Sequence, residues 1–184
     1  MKKSILSIVI LFLFAHSVNA QSENKLVSKK IHFKIYSHTA AEDIEANNYK
    51  AIGTINTVTG EVVFSVPMQS YEFEKSLMQK HYNSKKFLDT KKFPKSKLKA
   101  KITNFSDVDF KVDGTYTANI EGSLTIHGQT KDIKENATIT VKGTSIMLST
   151  KFNLTLADYT IAFKDGKPST NIAKVIEITV VAEY

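Results

Sequence analysis

The chain has 184 residues, with 25 basic side chains, 18 acids and a formal charge of +7. Every basic residue is lysine and cysteine is absent, which excludes disulfides, thiol catalysis and cysteine metal sites. Without arginine, the usual bidentate reader of phosphate and guanine, nucleic acid is a poor partner; the seven dispersed glycines form no phosphate-cradling loop.

Lys2 and Lys3 precede an apolar run from Ser4 to Ala15, and Val18-Asn19-Ala20 places small residues ahead of a cut after Ala20. That is the layout of a secretory signal peptide. The run is shorter than the roughly 20 residues a spanning helix needs. The expectation is a cleaved signal over 1–20 and a periplasmic or secreted protein. Losing Lys2 and Lys3 lowers the charge from +7 to +5 and leaves residues 21–184 as one domain.

Beyond the signal, the hydrophobic period is mostly two. Ile31, Phe33 and Ile35 alternate with lysine, histidine and tyrosine; Val62–Val66 follows a turn at Thr57-Val58-Thr59-Gly60. Later runs place Leu98, Ala100 and Ile102, then Tyr116, Ala118, Ile120, Leu124 and Ile126, in the apolar phase. Ile146, Leu148, Phe152 and Leu154, then Ile176, Ile178 and Val180, complete the series. Such alternation predicts half-buried strands in antiparallel sheets. Asp113-Gly114, Lys142-Gly143 and Asp165-Gly166-Lys167-Pro168 are reversal signals. The stretch from Glu74 to Lys86 breaks the pattern with Leu77, Met78, His81 and Tyr82 at helical spacing, which predicts a short helix or lid. The fold expected is all-β: a barrel or sandwich of about eight strands with one helical insert. A barrel of about eight strands can be filled by side chains or hold one small ligand, and composition leaves both open.

Three stretches resemble signatures of one family. Phe87-Leu88-Asp89 followed by Phe93-Pro94 is the first. Leu124-Thr125-Ile126-His127-Gly128 followed by Thr130-Lys131 is the second and most specific. Phe152 followed by Asp158-Tyr159-Thr160-Ile161 is the third, and Tyr49 to Asn56 with Gly53 is a weaker echo. They are similar to the YceI-like polyisoprenoid-binding proteins. The resemblance implies a lipocalin-like antiparallel β-barrel with an apolar cavity, holding an isoprenoid-type lipid such as a quinone or polyprenyl carrier, with no cofactor. One departure leaves the ligand's identity open: Met78-Gln79 stands where members often carry Arg-Asp, although His81 is retained.

Read physically, these motifs are architectural before they are chemical. Gly128 supplies a backbone angle other residues resist, Thr130 offers a hydroxyl to the reversal, and Pro94 biases Phe93 towards extended geometry. Phe87 and Phe93 are expected to cover apolar surface beneath the insert. On strand phase, the inward residues expected to line a cavity are Phe33, Phe64, Val66, Leu98, Ile102 and Ile120. Leu124, Ile126, Leu148, Phe152 and Ile161 complete that set, with His81 and Tyr82 as head-group or rim candidates.

Catalysis has little support. The histidines His32, His38, His81 and His127 form no close ligand pair, so no metal site is expected. No G-x-S-x-G occurs, and Asp107 with Asp109, and Glu42, Asp43 and Glu45, read as solvated loop acids. Between Lys75 and Lys101 lie ten lysines and one acid, Asp89, which is either a solvated face or a contact for an anionic membrane. Exposed edge strands leave room for a homodimer. Three readings follow: a carrier of an apolar isoprenoid lipid, a filled barrel serving as a non-catalytic interaction module, and a lipid hydrolase or isomerase. The last needs a titratable cluster inside the barrel.

Overall fold

The computed structural model describes residues 24–28, 30–161 and 171–184. The signal segment and the Asp165-Gly166-Lys167-Pro168 turn lie outside them. The strands are β1 (Lys25–Ser28), β2 (Lys30–His38), β3 (Asp43–Asn48), β4 (Ile52–Asn56), β5 (Glu61–Pro67) and β6 (Glu72–Phe73). After the helix α1 (Ser76–Asn83) come β7 (Lys95–Ile102), β8 (Gly114–Ile126), β9 (Gln129–Lys142), β10 (Ser145–Thr155) and β11 (Val175–Glu183). All strand pairs are antiparallel, in the order β1-β4-β5-β7-β8-β9-β10-β11-β2-β3-β6.

The described strands number eleven, where about eight were expected. Two long strands are each broken once, and β6 is a two-residue addition. β1 and β2 are separated by one residue, yet β1 pairs with β4 and β2 with β11 and β3. The sheet must therefore curl until those regions meet. β3 and β4 are separated at Tyr49 to Ala51, where the fully buried Asn48 satisfies the bend. Its side-chain amide donates to the Pro67 carbonyl (2.8 Å) and its oxygen accepts from the Lys50 amide (2.9 Å). The acids Glu42, Asp43 and Glu45, expected in a loop, lie at the β2–β3 hairpin. Ile44 and Ala46 take the inward phase there, Asp43 and Glu45 sit on the wet face, and Glu42, just before β3, shares the inward phase.

Sequence phase sets the two faces. On β7 the alternation puts Lys95, Lys97, Lys99 and Lys101 outside and Ser96, Leu98, Ala100 and Ile102 inside. On β8, Gly122 lies opposite Ala100 of β7, where an added Cβ would meet the Lys99 carbonyl and the Ala100 Cα. Glycine here permits the close approach of two backbones. The reversals at Gly60 (φ 72°) and Gly143 (φ 57°) fall where expected.

The interior has two regions. Towards the β4–β5 and β9–β10 turns it is solid: Ile31, Ile55, Ile102, Ile139, Val141 and Ile146 are buried together. At the opposite end, below α1, it is hollow. One seam is also incomplete. β9 pairs with β10 only from Ser149↔Thr138 to Ser145↔Lys142, while β9 pairs with β8 from Gln129 to Val141. Beyond that ladder the Thr150 hydroxyl donates to the Asn136 carbonyl (2.7 Å), a side chain standing in for the missing strand bond.

Candidate ligand-binding cavity

Below α1 the curled sheet encloses a cavity of about 520 Å³. Ligand pockets run from about 300 to 1,000 Å³, so the upper interior is hollow by that measure and not filled by its own side chains. Its wall is built by strand phase: Phe33 and Ile35 from β2, Phe64 and Val66 from β5, Leu98 from β7, and Ile120, Leu124 and Ile126 from β8. Leu148, Phe152 and Leu154 enter from β10, and Ile176, Ile178 and Val180 from β11. Phe33 meets Phe64 edge-on at 5.7 Å across the space.

Of the eleven residues expected inward, ten border this cavity, including Ile161 from beyond the end of β10. Ile102 does not. Its side chain is 3 % exposed and belongs to the solid region, because β7 ends there, opposite Ile120. His81 and Tyr82 both reach the cavity from α1, together with Met78; Leu77, counted with them by helical spacing, faces solvent.

The helical end is roofed by aromatic rings. Tyr82 packs on Phe73 (5.0 Å), Tyr71 (5.6 Å) and Phe87 (6.2 Å). Burial pushes the Tyr71 phenol up and Tyr82 well up, the latter raised further by Tyr71. Both hydroxyls therefore stay protonated and are available to donate to an acceptor. Glu42, also in the wall, is held by Lys75 at 3.2 Å.

Sequence reasoning missed Glu135. The β9 run Ile133, Glu135, Ala137, Ile139, Val141 occupies the inward phase, with an acid in the second place. Burial raises the Glu135 carboxyl above its ordinary 4.5, with no charged neighbour contributing. It makes no hydrogen bond or ion pair among the described residues. The alternation of β9 was the signal, and the acid inside it disguised the strand. The hydrolase reading asked for a titratable pair inside. Among the described residues, His81 bonds no carboxylate and no three His, Asp or Glu side chains gather as a metal site.

The three motifs meet above the wall. The Phe93 ring stands edge-on to His127 at 4.6 Å and lies where a Gly128 Cβ would come within 2.7 Å of it. His127 Nδ1 donates to the Tyr159 carbonyl at 3.1 Å. Thr125 and Thr130 share a hydroxyl bond of 2.8 Å across the β8–β9 turn. The described non-glycine residues with positive φ are Asp89 (42°), His127 (50°) and Thr160 (54°), one in each motif. Strain of this kind persists only where surrounding contacts over-determine the backbone. Burial pushes the Tyr159 phenol up to about 12, aided by Asp158.

A family model for the YceI-like domain matches residues 20–184. The chain belongs to the YceI-like family. Two Pseudomonas relatives, each a UPF0312 protein, one from P. savastanoi pv. phaseolicola and one from P. syringae pv. syringae, are 41% identical over 64 residues. That match spans 35% of this chain and 30% of each relative's length. Among solved structures, a polyisoprenoid binding domain from Saccharophagus degradans, implicated in plant cell wall breakdown, aligns with a TM-score of 0.73 at 12% identity. It covers 88% of this chain and 97% of that one. BcnA of Burkholderia cenocepacia aligns at 0.70 with 14% identity, over 84% and 96%. The Campylobacter jejuni YceI protein aligns at 0.57 with 18% identity, over 100% and 98%. At these identities the likeness is one of fold: an all-β YceI-like architecture of a curled antiparallel sheet with one short helix.

Proposed function

We propose that this chain is an exported carrier that sequesters the apolar tail of an isoprenoid-type lipid, a quinone or a polyprenyl carrier, inside its curled sheet. The observation that carries this reading is the cavity of about 520 Å³ with an apolar wall, set above an interior that is otherwise packed solid. The polyisoprenoid-binding description of the S. degradans neighbour supports the ligand class.

The energetics favour long chains. Burial contributes about 0.8 kcal/mol per CH₂, so some twenty enclosed carbons supply about 16 kcal/mol. Association costs about 4–15 kcal/mol in lost freedom, so a chain of about ten carbons gains little. The test is native mass spectrometry of the protein from its own host, with organic extraction of whatever it carries. A discrete adduct extracting as an isoprenoid lipid is expected. A bare polypeptide mass, unchanged after incubation with quinones and polyprenols, would refute the carrier reading.

Export and membrane contact belong to the same proposal. The basic, then apolar, N-terminus supports export, and the mature protein should begin at Gln21; an uncut chain retained in the cell would refute this. Lys95, Lys97, Lys99 and Lys101 form a stripe on the outer face of β7, without ion pairs among the described residues, and would draw the carrier to an anionic bilayer. Co-sedimentation with phosphatidylglycerol vesicles at low salt, absent with phosphatidylcholine, is the expected result; equal sedimentation with both would count against it.

A further inference from the structure

Glu135 is an expensive residue to keep in an apolar wall. On β9 it stands between Ile133 and Ala137, with Ile120 opposite on β8. The inward residues of β8 around it, Ala118, Ile120, Gly122 and Leu124, carry no charge, and neither do Leu148, Thr150, Phe152 and Leu154 of β10. Thr150, the polar residue in the inward phase of β10, donates its hydroxyl to the Asn136 carbonyl. Lys131, in the same phase of β9, is exposed near its start, and Glu42 and His81 lie with the roof by α1. The carboxyl thus faces the cavity with no partner among the described residues. The open β9–β10 seam lies beside it, and its side chain is only partly buried. A partly desolvated carboxyl in an apolar wall loses its remaining water when an apolar chain enters, unless the ligand supplies a group that satisfies it.

We propose that Glu135 is a polar subsite that selects, among isoprenoid lipids, those bringing a hydrogen-bond donor into the cavity: an alcohol or hydroquinone in preference to the matching ether or quinone. The proposal rests on the carrier reading and narrows its ligand. An ionised carboxylate only accepts hydrogen bonds. A ligand hydroxyl satisfies it. An ether or quinone oxygen meets it lone pair to lone pair, and the entering chain strips away water without replacing it. The aromatic roof has the opposite character, since the Tyr71 and Tyr82 hydroxyls donate. Acceptor groups on the ligand are therefore matched to the roof and donors to Glu135.

The experiment uses two probes of equal length, geranylgeraniol and its methyl ether, titrated calorimetrically at pH 8 into the wild-type protein and into Glu135→Ala and Glu135→Gln. The wild type is expected to bind the alcohol about 10- to 100-fold more tightly than the ether, the range for a hydrogen bond to a charged group. In Glu135→Ala that preference should vanish because the ether binds better. Glu135→Gln preserves the shape and can both donate and accept, so its preference should narrow; it also controls for any folding defect of the alanine variant. Equal wild-type affinities for the two probes, or a preference that persists in Glu135→Ala, overturns the subsite and leaves the carrier intact. Binding of neither probe by any of the three proteins overturns both.

Discussion

If the upper interior is a true cavity, two large-to-small substitutions should behave oppositely. Ile139 is completely buried in the solid region, opposite Tyr116 on β8 and Leu148 on β10. Phe152 is half-buried in the cavity wall, opposite Ile178 on β11. Ile139→Ala removes enclosed contacts and should cost about 2–5 kcal/mol. A ring bordering a void has fewer contacts to lose, so Phe152→Ala should cost only about 1–2 kcal/mol, below the usual 3–5 for a buried Phe. Binding should show the reverse ranking. Ile139→Ala leaves the wall intact, whereas losing the Phe152 ring should weaken lipid affinity about tenfold, equivalent to about 1.4 kcal/mol. At a free lipid concentration of about 100 times the wild-type Kd, lipid should stabilise the wild type by about 2.7 kcal/mol and Phe152→Ala by about 1.4 kcal/mol. Urea unfolding followed by far-UV circular dichroism, with and without geranylgeraniol, reads both quantities. Equal destabilisation by the two substitutions, together with unchanged lipid stabilisation in Phe152→Ala, would refute a hollow upper interior.

Two further expectations concern single residues. Because the folded Glu135 pKa lies above its ordinary 4.5, the folded state holds its proton over the pH window between them, so this residue makes stability fall as pH rises through that window. Below 4.5 the penalty is absent; above the folded value it is fully present, and Glu135→Gln should remove that pH slope in urea midpoints measured from pH 4 to 8. A slope unchanged in the variant would show that another group is responsible. Gly128→Ala forces a side chain onto a backbone at φ 77° and against the Phe93 ring, and should destabilise by about 1–2 kcal/mol or more. A thermal midpoint within a degree of wild type would show that this rim contact is slack.

Much of this fold was legible because strand phase and burial are the same physical fact. Phe33, Phe64, Leu98, Leu124 and Phe152 reach the cavity because residues two apart share a face, and a curled sheet has only one inner face. Three things were hidden, each for its own reason. Ile102 has the right phase, but phase does not tell how far along the axis a side chain lies, and it falls in the solid region. β3 was masked by Asp43, Glu45 and two asparagines, whose charge and polarity resemble a loop until the hairpin partner β2 is in place. β9 was masked by Glu135, the residue that breaks the apolar phase where a ligand would be felt. Local rules fail where a site departs from generic packing, so the misread residue is the informative one.

The division of the interior explains why the family's motifs sit where they do. A hollow end lacks the dense contacts that fix strands elsewhere, so it would collapse or fray unless its rim were held by other means. Here the rim is held by a chain of local contacts: Phe93 on His127 and Gly128, and His127 on Tyr159. Asp89, His127 and Thr160 take left-handed backbone angles within that chain, which locks the Phe87–Pro94 insert, the β8–β9 turn and the segment after β10 to one another. The same stretches also send Phe87, Leu124, Ile126, Phe152 and Ile161 into the cavity wall. The recognisable motifs therefore combine wall and fastening. They specify a cavity held open, whereas Glu135 lies in the wall outside all three of them. On this argument the fold can be read from Phe93, His127 and Gly128, but the ligand has to be read from the polar exceptions in the wall.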